Sequence, residues 1–306
     1  MAYERKAEPI GRELVRRLLP RRDPEGHKGT FGKVLCLCGS VGYTGAPVFA
    51  SRGAVRSGAG LVFLGVPESI WPVAAVKSDE AMPFPLPEAE GRLSLLAEET
   101  IRRRAAGCDA VLLGCGLGRG RQTDALVRRL MDLPQPLVLD ADGINALAGH
   151  MDEWERRRGR VTVLTPHEGE FLRVGGNLSQ GRTAAAEDFA RRSEAVVVLK
   201  GPGTVVAGPD GRCREQHRQL RHGQGRQRRR TVRGGAGSAG TGHGRLRCLL
   251  LRRMAPRPGR GSGGAGEGAV GHDTHGSSGA SATGPAGSDG IERRRETESL
   301  PEGRRR

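Results

Sequence analysis

Residues 212–306 contain no phenylalanine, tryptophan, tyrosine or lysine, and the 306-residue chain is only 3% aromatic. A stretch without large rings has little with which to fill a core, and it also lacks the aromatic platforms on which single-stranded bases stack. No run of about 18 apolar residues occurs anywhere, so the sequence does not predict a membrane-spanning helix. The opening MAYERKAEPIGRELVRRLLPRR carries charge throughout and has no apolar segment of the secretory type, which predicts a cytoplasmic protein without a membrane partner.

Paired C-x-x-C or C-x-x-H spacing is also missing. Cys36 and Cys38 lie in the apolar run VLCLCG and Cys108 and Cys115 flank another, which reads as buried reduced thiols rather than zinc ligands. GTFGK at 29–33 lacks the spacing of a phosphate-binding Walker loop, and the absence of a G-x-S-x-G elbow argues against a serine hydrolase.

What is present divides the chain in two. Residues 212–306 hold 21 arginines against 8 acidic residues, a net of +13 out of the chain's +16. The basic charge therefore belongs to the tail. Residues 1–211 are close to neutral and patterned, long enough for one α/β domain with a real core.

Short apolar runs bounded by Gly, Pro or Asp recur at 34–40, 61–67, 110–116, 136–142, 161–166 and 195–201. Continuous rather than alternating apolarity predicts strands buried on both faces. Helical patterns over 46–57, 95–106, 123–132, 143–149, 168–174 and 181–193 lie between them. Strands alternating with helices predict a three-layer α/β/α fold on a mostly parallel sheet. A turn at Pro209-Asp210-Gly211 predicts a closing hairpin whose second arm begins near Cys213.

Ligands of open parallel sheets bind beyond the carboxyl ends of the strands. Those ends read GSVGYTGA, GCGLGRG (114–120), DADGINAL (140–147), TPHEGEF (165–171) and KGPGT (200–204). Each has a plain structural reading: Asp140 or Asp142 as a helix cap, His167 as a helix-start residue, Lys200 as a solvated strand end. Together they predict a polar site.

In order, HKGTFGKVLCLCGSVGYTGAPVFASRGAVRSGAGLV, GCGLG, LVLDADGINAL, VLTPHEGEF and VVLKGPGTVV resemble the ADP-dependent NAD(P)H-hydrate dehydratases, over about residues 10–211. The resemblance implies a ribokinase-like fold and a lyase that repairs hydrated NADH and NADPH, spending ADP or ATP, with Mg2+, to remove the ring hydroxyl as phosphate. It implies contacts to the hydrated cofactor from Ala46, Pro47, Gly118 and His167. Lys200, Gly201, Pro202, Gly203 and Thr204 match the nucleotide segment, where a lysine and backbone amides face phosphates. Pro47 stands where the family has a small alanine, and Cys115 where it has proline. The resemblance also implies a separate NAD(P)H-hydrate epimerase as functional partner, and a homo-oligomer is expected.

The family's next segment, N-x-G-M-A-x-G-G-S-G-D-V-L-x-G, with its anion-holding glycines and basic aspartate, is not written here. With wobble bases free, the codons of Gln216–Arg233 read one base later can encode N-T-G-N-C-G-M-A-K-G-G-S-G-D-V-L-S-G. The expectation is therefore a dehydratase domain over 1–211 joined to a low-complexity, disordered or non-native tail over 212–306 produced by a frameshift. In that frame the catalytic aspartate falls on the codon pair Arg229/Arg230, so no catalytic residue is retained and the chain is expected to be inactive. Two other readings remain open at this stage: a small-molecule kinase on the same fold, and an Arg/Gly tail that binds RNA through its charge.

Overall fold

The computed structural model describes residues 8–19 and 23–216. The chain runs β1 (Glu8–Pro9), α1 (Arg12–Leu18), β2 (Lys33–Leu37), α2 (Gly45–Arg56), β3 (Leu61–Pro67), α3 (Trp71–Lys77), β4 (Met82–Leu86), β5 (Glu88–Ala89), β6 (Arg92–Leu93), α4 (Glu98–Ala106), β7 (Ala110–Leu113) and α5 (Arg121–Arg129). It continues through β8 (Leu137–Leu139), α6 (Asp142–Asn145), β9 (Thr162–Leu164), α7 (Glu168–Arg173), α8 (Arg182–Ser193), β10 (Val196–Leu199), β11 (Thr204–Ala207) and β12 (Cys213–Gln216).

Ten strands form one sheet in the order β1-β12-β11-β10-β9-β8-β7-β2-β3-β4. From β10 to β4 every neighbouring pair is parallel. The expected hairpin is there: β11 runs antiparallel to β10, and β12, beginning at Cys213, runs antiparallel to β11. Each of the six strands and six helices expected from the sequence has its counterpart, most of them shorter by a few residues.

The apolar runs are continuous because successive residues serve opposite cores. Leu35 and Leu37 of β2, Val111 and Leu113 of β7, and Leu137 and Leu139 of β8 enter one cluster with Ile101 of α4, Leu126 of α5 and Phe189 of α8. Val34 and Cys36, Ala110 and Leu112, and Val138 enter the other with Ala54 of α2 and Ala74 of α3. A strand buried on both faces cannot alternate apolar with polar, so the pattern read from the sequence follows from the three layers.

Residues 68–94, to which the sequence pattern assigned no element, form α3, the edge strand β4 and the small hairpin of β5 with β6. MPFPL carries two prolines, neither of which can donate to a ladder. Among the described residues β4 is the last strand of the sheet and has one unpaired side, and an edge is where proline is tolerated.

The tail expected to be disordered or non-native from residue 212 onward is corrected at its start: Arg212–Gln216 belong to the described residues, and Cys213–Gln216 form β12 because the hairpin begun at Pro209-Asp210-Gly211 gives them the free edge of β11 to pair with; Arg229, Arg230 and the rest of the tail lie outside the described residues.

Candidate functional site

Strands β2, β7, β8, β9 and β10 are consecutive neighbours and parallel, so the five polar segments that follow them emerge side by side at one end of the sheet. Among them are all the loops that the sequence singles out.

Two glycines let these loops interlock. At Gly114, φ is +135°, and a Cβ there would lie 1.8 Å from the Asp140 carbonyl oxygen; one on Gly143 would lie 2.5 Å from the Leu113 carbonyl oxygen. Any side chain at either position would force the β7 and β8 loops apart. Across the next gap, Ser40 Oγ donates to the Gly116 carbonyl at 2.9 Å, and the Gly39 amide to the Cys115 carbonyl at 2.9 Å.

Asp140 is the hub. Its side chain is only 4% exposed; Oδ1 accepts from Lys200 Nζ at 3.0 Å and from Thr165 Oγ1 at 2.7 Å, and Oδ2 from Cys115 Sγ at 3.2 Å. Lys200 Nζ also lies 3.5 Å from Oε2 of the buried Glu170. One ammonium thus sits between two carboxylates from neighbouring strand ends, an arrangement that a low-dielectric site tolerates only when each charge is paired and hydrogen-bonded.

Cys38 closes the row. Its hydrogen bond with Cys115 pulls the thiol pKa down, but burial, with Cys36 and Asp140 nearby, outweighs it and leaves the pKa above the ordinary thiol value. Both thiols are buried and reduced, as the sequence reading expected.

Between the aspartates, Ala141 adopts φ 48° and ψ −113°, a region that side chains rarely occupy. This turn aims Asp140 into the buried hub while Asp142 Oδ2 accepts the Gly118 amide at 2.9 Å. Neither aspartate acts as the N-cap of α6: that position is Ala141, and no side chain caps it. Strain held at a site of converging polar groups is the usual mark of a functional turn.

His167 is the N-cap of α7. Its Nδ1 accepts from the Gly169 and Glu170 amides at 3.0 and 3.3 Å, while Glu170 Oε2 accepts the His167 amide at 2.8 Å, a capping box. With Nδ1 accepting, Nε2 faces Glu170 Oε1 at 3.3 Å. The ring itself remains half exposed. The plain reading of His167 as a helix-start residue therefore holds, and its backbone bridges to Lys200 of the neighbouring loop.

Lys200 joins the β9 and β10 loops: it forms an isolated parallel bridge with His167, and its amide donates to the Pro166 carbonyl at 2.7 Å. It is not a solvated strand end, its side chain being 17% exposed. In the loop it begins, Pro202 is exposed, Gly201 and Gly203 are half-buried, and the Thr204 hydroxyl donates back to the Gly201 carbonyl at 3.3 Å.

Ala46 stands in the first turn of α2, half-buried and against Gly116, where a Cβ would lie 2.7 Å from the Ala46 Cβ. Pro47 turns inward: it is buried, and its ring would be 2.8 Å from a Cβ on Gly39. Ala46, Gly118, His167 and the 200–204 loop thus lie at the same end of the sheet, in the segments after β2, β7, β9 and β10, and Pro47 is buried. The sequence reading did not single out Glu170, Thr165 or Arg182, and it left Asp140 or Asp142 as a helix cap beside the reading of a polar site. The only signal for Glu170 was its place three residues after His167.

Among the described residues no group of three or more His, Cys, Asp or Glu side chains could hold a metal ion, and the carboxylates of Asp140 and Glu170 are occupied by Lys200. These residues do not form a magnesium cage.

A protein-family profile described as NAD(P)H-hydrate dehydratase matches residues 34–244. The chain is 43% identical over 203 residues to a bifunctional NAD(P)H-hydrate repair enzyme of Salinibacter ruber, a match covering 65% of this chain and 38% of that protein. It is 37% identical over 208 residues to the ADP-dependent (S)-NAD(P)H-hydrate dehydratase of Bacillus subtilis, covering 66% of this chain and 69% of the relative. Much of the bifunctional relatives' length, well over half, has no counterpart in the match. Among solved structures, an ADP/ATP-dependent NAD(P)H-hydrate dehydratase from Bacillus subtilis co-crystallised with ATP and Mg2+ superposes with a TM-score of 0.60 at 29% identity, over 82% of this chain and 87% of that one. A ribokinase-like superfamily protein from Enterococcus faecalis superposes with a TM-score of 0.61 at 18% identity, covering 83% and 81%, a likeness of fold.

Proposed function

The chain belongs to the NAD(P)H-hydrate dehydratase family, and from that premise we propose that residues 8–216 carry the binding half of a site for hydrated NADH or NADPH and for ADP or ATP. The observation that carries this reading is the convergence of Ala46, Gly118, His167 and Lys200–Thr204 at the carboxyl ends of adjacent parallel strands.

In this reading Ala46 and the Gly118 backbone, with Arg92 beside it, border the approach to the hydrated nicotinamide ring, and His167 offers the solvent-exposed part of its imidazole. The Lys200–Thr204 loop takes the nucleotide phosphates through backbone amides. When bound, the nucleotide would supply a phosphoryl group that turns the ring hydroxyl into a better leaving group. Magnesium would be held chiefly by phosphate oxygens, as is usual for this ion, since the described side chains provide no cage. A separate NAD(P)H-hydrate epimerase and a homo-oligomer remain the partners the resemblance implies.

The base belongs to the segment that reads as frame-shifted. Loss of a general base costs about 10²–10⁴ in rate, and loss of the amide cradle around it adds to this. We propose that this chain turns the hydrate over at a negligible rate, whereas a chain with the frame restored after Arg212 does so readily. The test is recovery of reduced-nicotinamide absorbance from hydrated NADH with ADP or ATP present. An inactive restored chain that instead releases ADP in a sugar-dependent way would overturn the dehydratase reading, and turnover by the present chain would overturn its predicted inactivity.

A further inference from the structure

Arg182, the first residue of α8, lies 18 positions before the start of the loop it touches. Its guanidinium donates through Nη2 to the carbonyls of Leu199 at 3.0 Å and Gly203 at 3.2 Å, the two ends of the Lys200–Thr204 loop. Through Nη1 it pairs with Glu168, the residue next to His167 on α7. Among the described residues the Nε–H is buried without an acceptor. The side chain is thus held there by its forked end, not by complete satisfaction of its donors.

Gly201 fits the same arrangement. A Cβ at this position would lie 2.4 Å from Nη2 and 2.6 Å from Cζ of Arg182. The missing side chain therefore makes room for the guanidinium beneath the loop, a reason for glycine independent of any phosphate above it.

We infer that Arg182 is a positioning residue for the nucleotide loop. It clips the two ends of Lys200–Thr204 together and ties them, through Glu168, to the helix that presents His167. The inference rests on the nucleotide reading of that loop, but the clip itself is a property of the chain without ligand. A lysine could reach one carbonyl or the carboxylate; a planar fork reaches all three.

The lysine distribution provides the test, because residues 201–306 contain no lysine. A lysine-specific protease can therefore report opening of the loop by cleavage at Lys200–Gly201 in the full chain, with Lys77 as an exposed reference and Lys33 on β2 as a reference for global unfolding. In Arg182→Met and Gly201→Ala, cleavage after Lys200 should rise about tenfold while cleavage after Lys33 stays unchanged, and the affinity for a fluorescent ADP should fall at least tenfold. Unchanged cleavage after Lys200 would overturn the inference, as would a rise matched at Lys33, which would mark general destabilisation. If the unaltered chain fails to bind ADP, the nucleotide reading falls, and the proteolysis still decides the clip.

Discussion

The ammonium of Lys200 lies 3.0 Å from Oδ1 of Asp140, sixty residues away in sequence, and this pair joins the β8 and β10 strand ends through the buried centre of the site. Glu170 on the far side makes it a triad with one cation and two anions. Replacement by methionine leaves two carboxylates, 4% and 5% exposed, without their cation. Breaking such a buried pairing from one side costs about 3–5 kcal/mol. Lys200→Met should therefore unfold at markedly lower denaturant than the unaltered chain, and an unfolding midpoint within error of the unaltered chain would show that solvent reaches the triad.

Ala141 holds a left-handed turn at φ 48° that glycine adopts without strain. Relief of about 1–3 kcal/mol of strain exceeds the about 0.4–1 kcal/mol lost through the freer unfolded chain. Ala141→Gly is accordingly expected to stabilise the protein, seen as a rise in Tm of a few degrees. A fall in Tm would mean that the turn is unstrained.

Glu98 bonds Arg102 and Arg129 at 2.9 and 3.0 Å. Burial raises its pKa, but the two guanidinium hydrogen bonds prevail and hold it below the ordinary value of 4.5. A depressed carboxylate pKa stabilises the fold above the unfolded-state value and ceases to do so as pH falls through the folded-state value. Because the pairing is near the surface, Glu98→Gln should cost less than about 1 kcal/mol at neutral pH. Chemical denaturation of both proteins from pH 7 to pH 3 should show that gap closing below about pH 4.5. A gap that widens with acid would contradict the pairing.

Burial, with Asp109 adding to it, pushes the Cys108 thiol up to about 11. At pH 8 its thiolate is about a hundredfold scarcer than that of an ordinary thiol, so alkylation should be slower by at least that factor. Peptide mapping after a timed iodoacetamide pulse measures this, with denatured chain as the reference; equal rates in the two would place Cys108 in solvent.

The amino-acid pattern by itself determined the layers. VLCLCG, AVLLGCG and PLVLDAD are apolar on both faces because each strand feeds two cores, and the alternation of such runs with helical stretches leaves little choice but a parallel sheet between helices. The expectation of a site at the strand ends followed from the same logic, and the resemblance carried by motifs such as TPHEGEF and KGPGT named the family whose profile matches residues 34–244. Local chemistry was less legible where proline obscured an edge strand, as in MPFPL.

Only the tertiary structure decided which polar residues meet. The sequence left a cap open at Asp140 or Asp142 and assigned Lys200 to a nucleotide segment, but said nothing of the Asp140–Lys200 pair or of Arg182, because local sequence records propensity and not partners. Their roles arise from the order of strands in the sheet, which sets residues 140, 170 and 200 within a few ångströms and excludes water from between them. Charge pairing depends on distance and local dielectric, and both are properties of the folded arrangement, absent from the chain read one residue at a time.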